Sequence, residues 1–156
     1  MISSAVLIKH SRASDDSPKD TIITQPQAKK YPIVVIDAGH GGEDGGAVGY
    51  DGILEKELNL LISQKLEQML RSAGVETRLT RTDDRLLYDS EADYHGRKKL
   101  LDMQERLSIA NEYENAVFIS IHMNSFSSSK YSGLQVYYSE NSPLSRSLAQ
   151  TVQSTV

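Results

Sequence analysis

The chain contains no cysteine and no tryptophan, and only two phenylalanines. Without cysteine there is no disulfide framework and no thiolate metal site, so any bound metal must be held by His and carboxylates. The absence does not fix the compartment. Long hydrophobic runs are missing too. The apolar run at residues 5–8 falls far short of the roughly 20 apolar residues of a membrane span, and of a signal-peptide core. A basic excess is also lacking: 17 Lys+Arg face 21 Asp+Glu, a formal net charge of −4. Binding to nucleic acid needs a basic stripe, so no nucleic-acid partner is expected. No internal repeat is evident.

What is present fits one domain with an appendage. The 156 residues are 38% hydrophobic, enough for a packed core. Residues 1–30 are mostly Ser, Asp, Lys, Thr, Gln and Pro with little periodicity, and read as a disordered N-terminal arm. Folded structure is expected from Tyr31 onward. The β-branched run at residues 32–37 reads as a strand buried on both faces. A glycine-dense loop follows. Residues 57–73 predict a helix burying Leu58, Leu61, Ile62, Leu66, Met69 and Ala73, with Gly74 as its C′ residue. Residues 75–79 predict a second strand. Residues 80–96 form a charged loop too long to be a mere connection. Residues 97–113 predict a second helix burying Leu100, Met103, Leu107 and Ala110. Residues 117–121 predict a third strand and residues 134–138 a fourth, with one ring of Tyr137 and Tyr138 buried. Ser142 as N-cap and Pro143 at N1 open a third helix burying Leu144, Leu148 and Val152. Alternating strands and helices predict an α/β fold, its mostly parallel or mixed sheet flanked by helices.

In such sheets, sites form at the carboxyl ends of strands. His40 lies just past the first strand and His122 directly follows the third. A single strand-end His is commonly a hydrogen-bonded edge residue; two on neighbouring strand ends suggest a metal site in need of a carboxylate. Glu43, Asp44, Glu55 and Glu57 are the candidates, although Glu55 and Glu57 could simply complement a helix dipole. The glycine loop could instead cradle a phosphate, but it matches neither common phosphate-loop pattern, and glycine also serves close backbone approach. His95 reads as a solvent-exposed loop residue. Arg81 and Arg106 read as residues that stabilise loops through ion pairs, which at exposed sites are worth about 0–1 kcal/mol.

Five blocks, in order, carry a resemblance. They are Ile36-Asp37-Ala38-Gly39-His40-Gly41-Gly42-Glu43-Asp44-Gly45-Gly46-Ala47, Glu55-Lys56-Glu57-Leu58-Asn59-Leu60, Thr80-Arg81-Thr82-Asp83-Asp84, Arg106-Leu107-Ser108-Ile109-Ala110-Asn111 and Phe118-Ile119-Ser120-Ile121-His122-Met123-Asn124-Ser125. Over residues 32–156 the chain resembles the zinc-dependent N-acetylmuramoyl-L-alanine amidases of the amidase type 3 family. The stretch from Tyr94-His95-Gly96-Arg97 to Glu105-Arg106 is similar to the germination-specific, CwlD-like subgroup, which acts on spore cortex.

The resemblance implies a Zn²⁺ cofactor at the strand ends. It implies His40, Glu55 and His122 as the metal ligands and Glu57 as a neighbouring non-ligand. It implies hydrolysis of the amide between the lactyl group of N-acetylmuramic acid and L-alanine, with peptidoglycan as partner. An activating lipoprotein partner and work outside the cytoplasmic membrane, at cell wall or cortex, are also implied; no export signal is visible. Asn124 is a candidate substrate-binding residue, and Asp37 and Asn124 are candidate hydrogen-bond partners of the two imidazoles. The family's general acid/base Glu belongs to a Glu-x-Gly-Phe-type motif that would lie beyond Val156. Residues 31–156 are therefore expected to be a catalytic domain incomplete at its C-terminus, lacking the fold's last strand and helix and leaving a sheet edge and helix faces uncovered. Loss of a proton shuttle would slow hydrolysis by roughly 10²–10⁴-fold. The alternative is a zinc- and peptidoglycan-binding fragment without turnover.

Overall fold

The computed structural model describes residues 31–88, 96–123, 133–140 and 142–155. Three strands alternate with helices: β1 (Ile33–Ala38), α1 (Glu55–Ser72), β2 (Thr77–Leu79), α2 (Lys98–Asn111), β3 (Ala116–Ile121) and α3 (Pro143–Ser154). The strand order is β2-β1-β3 and every pairing is parallel. β1 is the central strand and is buried on both faces: Val35 and Ile36 are completely buried.

Alternate β1 side chains face opposite ways. Val34 and Ile36 join Leu79, Val117, Ile119 and Ile121 in the core against Leu66 and Leu70 of α1. Asp37, on the other face, meets Arg106 of α2. The helices thus cover opposite faces, as right-handed crossovers require when the chain leaves β1 towards β2 and returns past it to β3. The crevice where that direction reverses opens between the carboxyl ends of β1 and β3.

α1 ends as Gly74 predicts. Gly74 has φ 79°, its N–H donates to the Arg71 carbonyl, and the Val75 N–H donates to the Leu70 carbonyl. This double bond pattern closes the orphan carbonyls of the last turn. α3 starts as predicted too, with Ser142 Oγ accepting from the Leu144 N–H and Pro143 in the first turn.

Buried helix faces differ from the expected stripes. α1 buries Glu55, Asn59 and Ser63, leaving Leu61, Ile62 and Met69 exposed. α2 buries Asp102, Arg106 and Ile109, leaving Leu100, Met103 and Leu107 exposed. Glu55, Asn59 and Arg106 turn inward to bond the end of β1 and the loop after it, and Asp102 bonds Arg106 and the Leu87 N–H. Along α3 only Ala149 is buried, and Leu144, Leu148 and Val152 are exposed. Among the described elements α3 packs on no strand or helix. The expected fourth strand does not form. Among the described residues its backbone is bonded by Gln153 of α3, which accepts from the Val136 N–H and donates to the Leu134 carbonyl. Tyr137 and Tyr138 are consequently both exposed rather than one ring buried. Residues 1–30, His95 and Asn124 lie outside the described residues.

Candidate metal centre

His40 sits just past the end of β1, in the left-handed backbone region at φ 61°. A non-glycine residue rarely adopts this conformation, and such strain clusters at functional sites. His122 follows β3, the neighbouring strand. Glu55 is the first residue of α1, with its side chain buried.

These three side chains converge. His122 Nδ1 lies 3.0 Å and His40 Nε2 3.3 Å from the same Glu55 Oε1. The imidazoles meet edge to face with centroids 4.9 Å apart. One ligand atom from each residue lies within 4.8 Å of the others. Two imidazole nitrogens and one carboxylate oxygen form a donor set that suits a zinc-type divalent cation. A ligating imidazole also needs its second nitrogen fixed by a hydrogen bond. His40 meets this requirement: its Nδ1 lies 2.9 Å from Asp44 Oδ2, which leaves Nε2 to face Glu55.

Of the candidate carboxylates, only Glu55 joins the group. Glu43 pairs with Lys98, Asp44 takes the orienting role, and Glu57 is exposed. Burial by itself would raise the Glu55 pKa. Backbone donors Ala47 and Met123, with His122, outweigh burial and hold it below the ordinary value. Burial likewise opposes ionisation of Asp44, but bonds from His40 and Gly46 hold its pKa down.

The glycines serve this packing rather than a phosphate cradle. A Cβ on Gly39 would stand 2.4 Å from the His122 ring, and one on Gly46 2.7 Å from the His40 ring. The loop N–H groups are already committed: Gly41 to the Asp44 carbonyl, Gly42 to Asp84, Gly46 to Asp44 and Ala47 to Glu55.

Arg81 and Arg106 are not surface residues. Arg81 is 1% exposed and Arg106 6%. Arg106 bonds Asp102 and Asp37 at 2.7 and 2.6 Å. Asp37 also accepts from Thr80 and Ser120, so it belongs to this network and not to an imidazole. Burial works against the Arg106 charge, yet its two carboxylates raise its pKa overall, whereas burial and the nearby Arg106 lower that of Arg81. Sequence reasoning expected loop-stabilising ion pairs of these arginines but missed their burial, and it missed the role of Asp44. The spacing of Asp102 and Arg106, four apart on one helix face, was the available signal.

Comparison with known proteins decides the family. Residues 34–156 match the family described as N-acetylmuramoyl-L-alanine amidase. The chain belongs to that amidase family. The germination-specific N-acetylmuramoyl-L-alanine amidase of Bacillus subtilis (strain 168) is 35% identical over 85% of this chain and 54% of its own length. The amidase AmiA of Escherichia coli (strain K12) is 32% identical over 81% of this chain and 40% of its own length. Among solved structures, the CwlD amidase from Clostridioides difficile, in complex with the GerS lipoprotein, superimposes with a TM-score of 0.71 at 35% identity. That match covers 80% of this chain and 64% of CwlD. The chain thus spans about half the length of the curated amidases it matches. No helix among the described residues is long and apolar enough to cross a membrane.

Proposed function

We propose that this amidase-family chain is a zinc-dependent unit for hydrolysis of the amide between the N-acetylmuramic acid lactyl group and L-alanine in peptidoglycan. The convergence of His40, Glu55 and His122 at the crevice between β1 and β3 carries this reading. These three residues would hold Zn²⁺. When bound, the ion supplies Lewis acidity towards a carbonyl and lowers the pKa of water towards about 7. Asp44 orients His40, while Ala47 and Met123 keep Glu55 ionised and in place. The His122 side chain is 40% exposed, so the group opens to solvent and can meet a polymeric substrate. Asn124, two residues on, is proposed to contact that substrate. Spore cortex is the proposed target and the outside of the cytoplasmic membrane the proposed location, on the likeness to the germination-specific amidase. A lipoprotein partner is proposed on the likeness to CwlD.

A second reading, binding without turnover, is favoured by the commitment of the nearby carboxylates: Glu55 faces both imidazoles and Asp44 bonds His40. Incubation of the zinc-loaded chain with purified cortex and vegetative peptidoglycan separates the two. New L-alanine amino termini support hydrolysis. Zinc binding without new termini supports the second reading, and absence of both overturns the proposal.

A further inference from the structure

Two buried guanidinium groups converge on the backbone that carries His40. Arg81 Nε donates to the Ala38 carbonyl at 2.8 Å and Nη2 to the Gly39 carbonyl at 3.1 Å. Arg106 Nη1 donates to the Ala38 carbonyl at 2.8 Å and Nη2 to the His40 carbonyl at 2.9 Å. Three consecutive carbonyls are thereby held from two places, the segment after β2 and helix α2. Arg81 reaches further, donating through Nη2 to the Lys56 carbonyl at 2.8 Å, directly after Glu55. Arg106 is fixed in turn by Asp102 and Asp37. The planar fork of an arginine can hold several acceptors in fixed directions, which a lysine ammonium cannot reproduce.

We infer that Arg81 and Arg106 are positioning residues that lock the 38–40 backbone, keep His40 in its left-handed conformation and set His40 against Glu55 before any ion binds. The inference rests on the reading of His40 and Glu55 as metal ligands. A left-handed His40 is intrinsically disfavoured and persists only where the surroundings over-determine it. The convergent donors provide that determination. Neither arginine touches the ligand atoms; both act through the backbone.

The test uses full-length Arg81→Lys and Arg106→Lys variants. A core variant, Val34→Ala, sits at the opposite end of β1 from His40 and serves as the control for lost stability. Two readouts are taken. The first is amide hydrogen exchange over residues 39–47 in the metal-free proteins, compared with exchange in the β1 core. The second is affinity for Co²⁺ and Zn²⁺ by chelator competition, with the Co²⁺ absorption spectrum. The expected result is faster exchange confined to residues 39–47 in both Lys variants. Their metal affinity should fall about 10–100-fold, the loss usual when support of a ligand is removed, and the Co²⁺ spectrum should change. Val34→Ala should keep wild-type affinity and spectrum at an equal or lower unfolding midpoint. Wild-type exchange at residues 39–47 in both Lys variants overturns the inference, as does an equal affinity loss in Val34→Ala. If the wild type binds neither metal, the ligand reading fails, and the exchange result still decides whether the arginines lock the loop. Should a Lys variant fail to fold, Asp102→Asn, which removes the carboxylate partner of Arg106 and keeps an amide oxygen for the Leu87 N–H, is expected to show the same local exchange.

Discussion

At the scale of the residue, the site depends on close approach and on orientation. Gly39 has no space for a methyl group, since a Cβ there would lie 2.4 Å from the His122 ring. Gly39→Ala is therefore expected to displace His122 and weaken Co²⁺ binding at least tenfold, measured by chelator competition. Asp44 Oδ2 lies 2.9 Å from His40 Nδ1 and orients the ring. Asp44→Ala is expected to lower metal affinity by about 10–100-fold while leaving the far-UV circular dichroism spectrum unchanged. Unaltered affinity would show that Asp44 is only a surface partner of the imidazole.

At the scale of the element, caps and buried faces behave differently. Gly74 occupies a left-handed position at the end of α1. Gly74→Ala should cost about 1–2 kcal/mol in urea unfolding, the steric cost of a Cβ in that region. Strand β1, the Gly74 cap and the Ser142 cap were legible from sequence, because β-branched runs, glycine at C′ and serine before proline each report a local backbone requirement. Both histidines and Glu55 were legible as well, through strand ends, a helix start and the family resemblance. The inward faces of α1 and α2 were not. Apolar periodicity points to Leu61 and Met69 in α1, and to Met103 and Leu107 in α2. The helices instead turn Asn59 and Arg106 towards the loop after β1, with Asp102 bonded to Arg106. A buried polar face leaves no apolar periodicity, and only the four-residue spacing of its members marks it in the sequence. The expected strand at residues 134–138 failed for a similar reason. Its Leu134 and Val136 backbone groups found Gln153 rather than a neighbouring strand.

At the scale of the whole molecule, long-range ties join the glycine loop, α1 and the segment after β2. Lys56 Nζ bonds the Gly42 carbonyl and Asp84 Oδ2, and the Gly42 N–H donates to Asp84. The Lys56 bond, more than any other influence, holds the Asp84 pKa below its ordinary value of 3.8. A depressed carboxylate stabilises the fold above its unfolded pKa and loses that contribution as pH falls through the folded value. Asp84→Asn should therefore lower the unfolding midpoint at neutral pH, by a small amount because Asp84 is half exposed. The difference from wild type should shrink below about pH 4. A gap that persists at pH 2.5 would mean that the contribution is not electrostatic.

The central claim is that His40, Glu55 and His122 form one metal site. Elemental analysis of the full chain after zinc loading and exhaustive dialysis tests it directly, alongside His40→Ala, Glu55→Ala and His122→Ala. The account predicts about one zinc ion per wild-type chain and near-complete loss in each variant. Equal zinc in the wild type and all three variants, or none in the wild type, would contradict it.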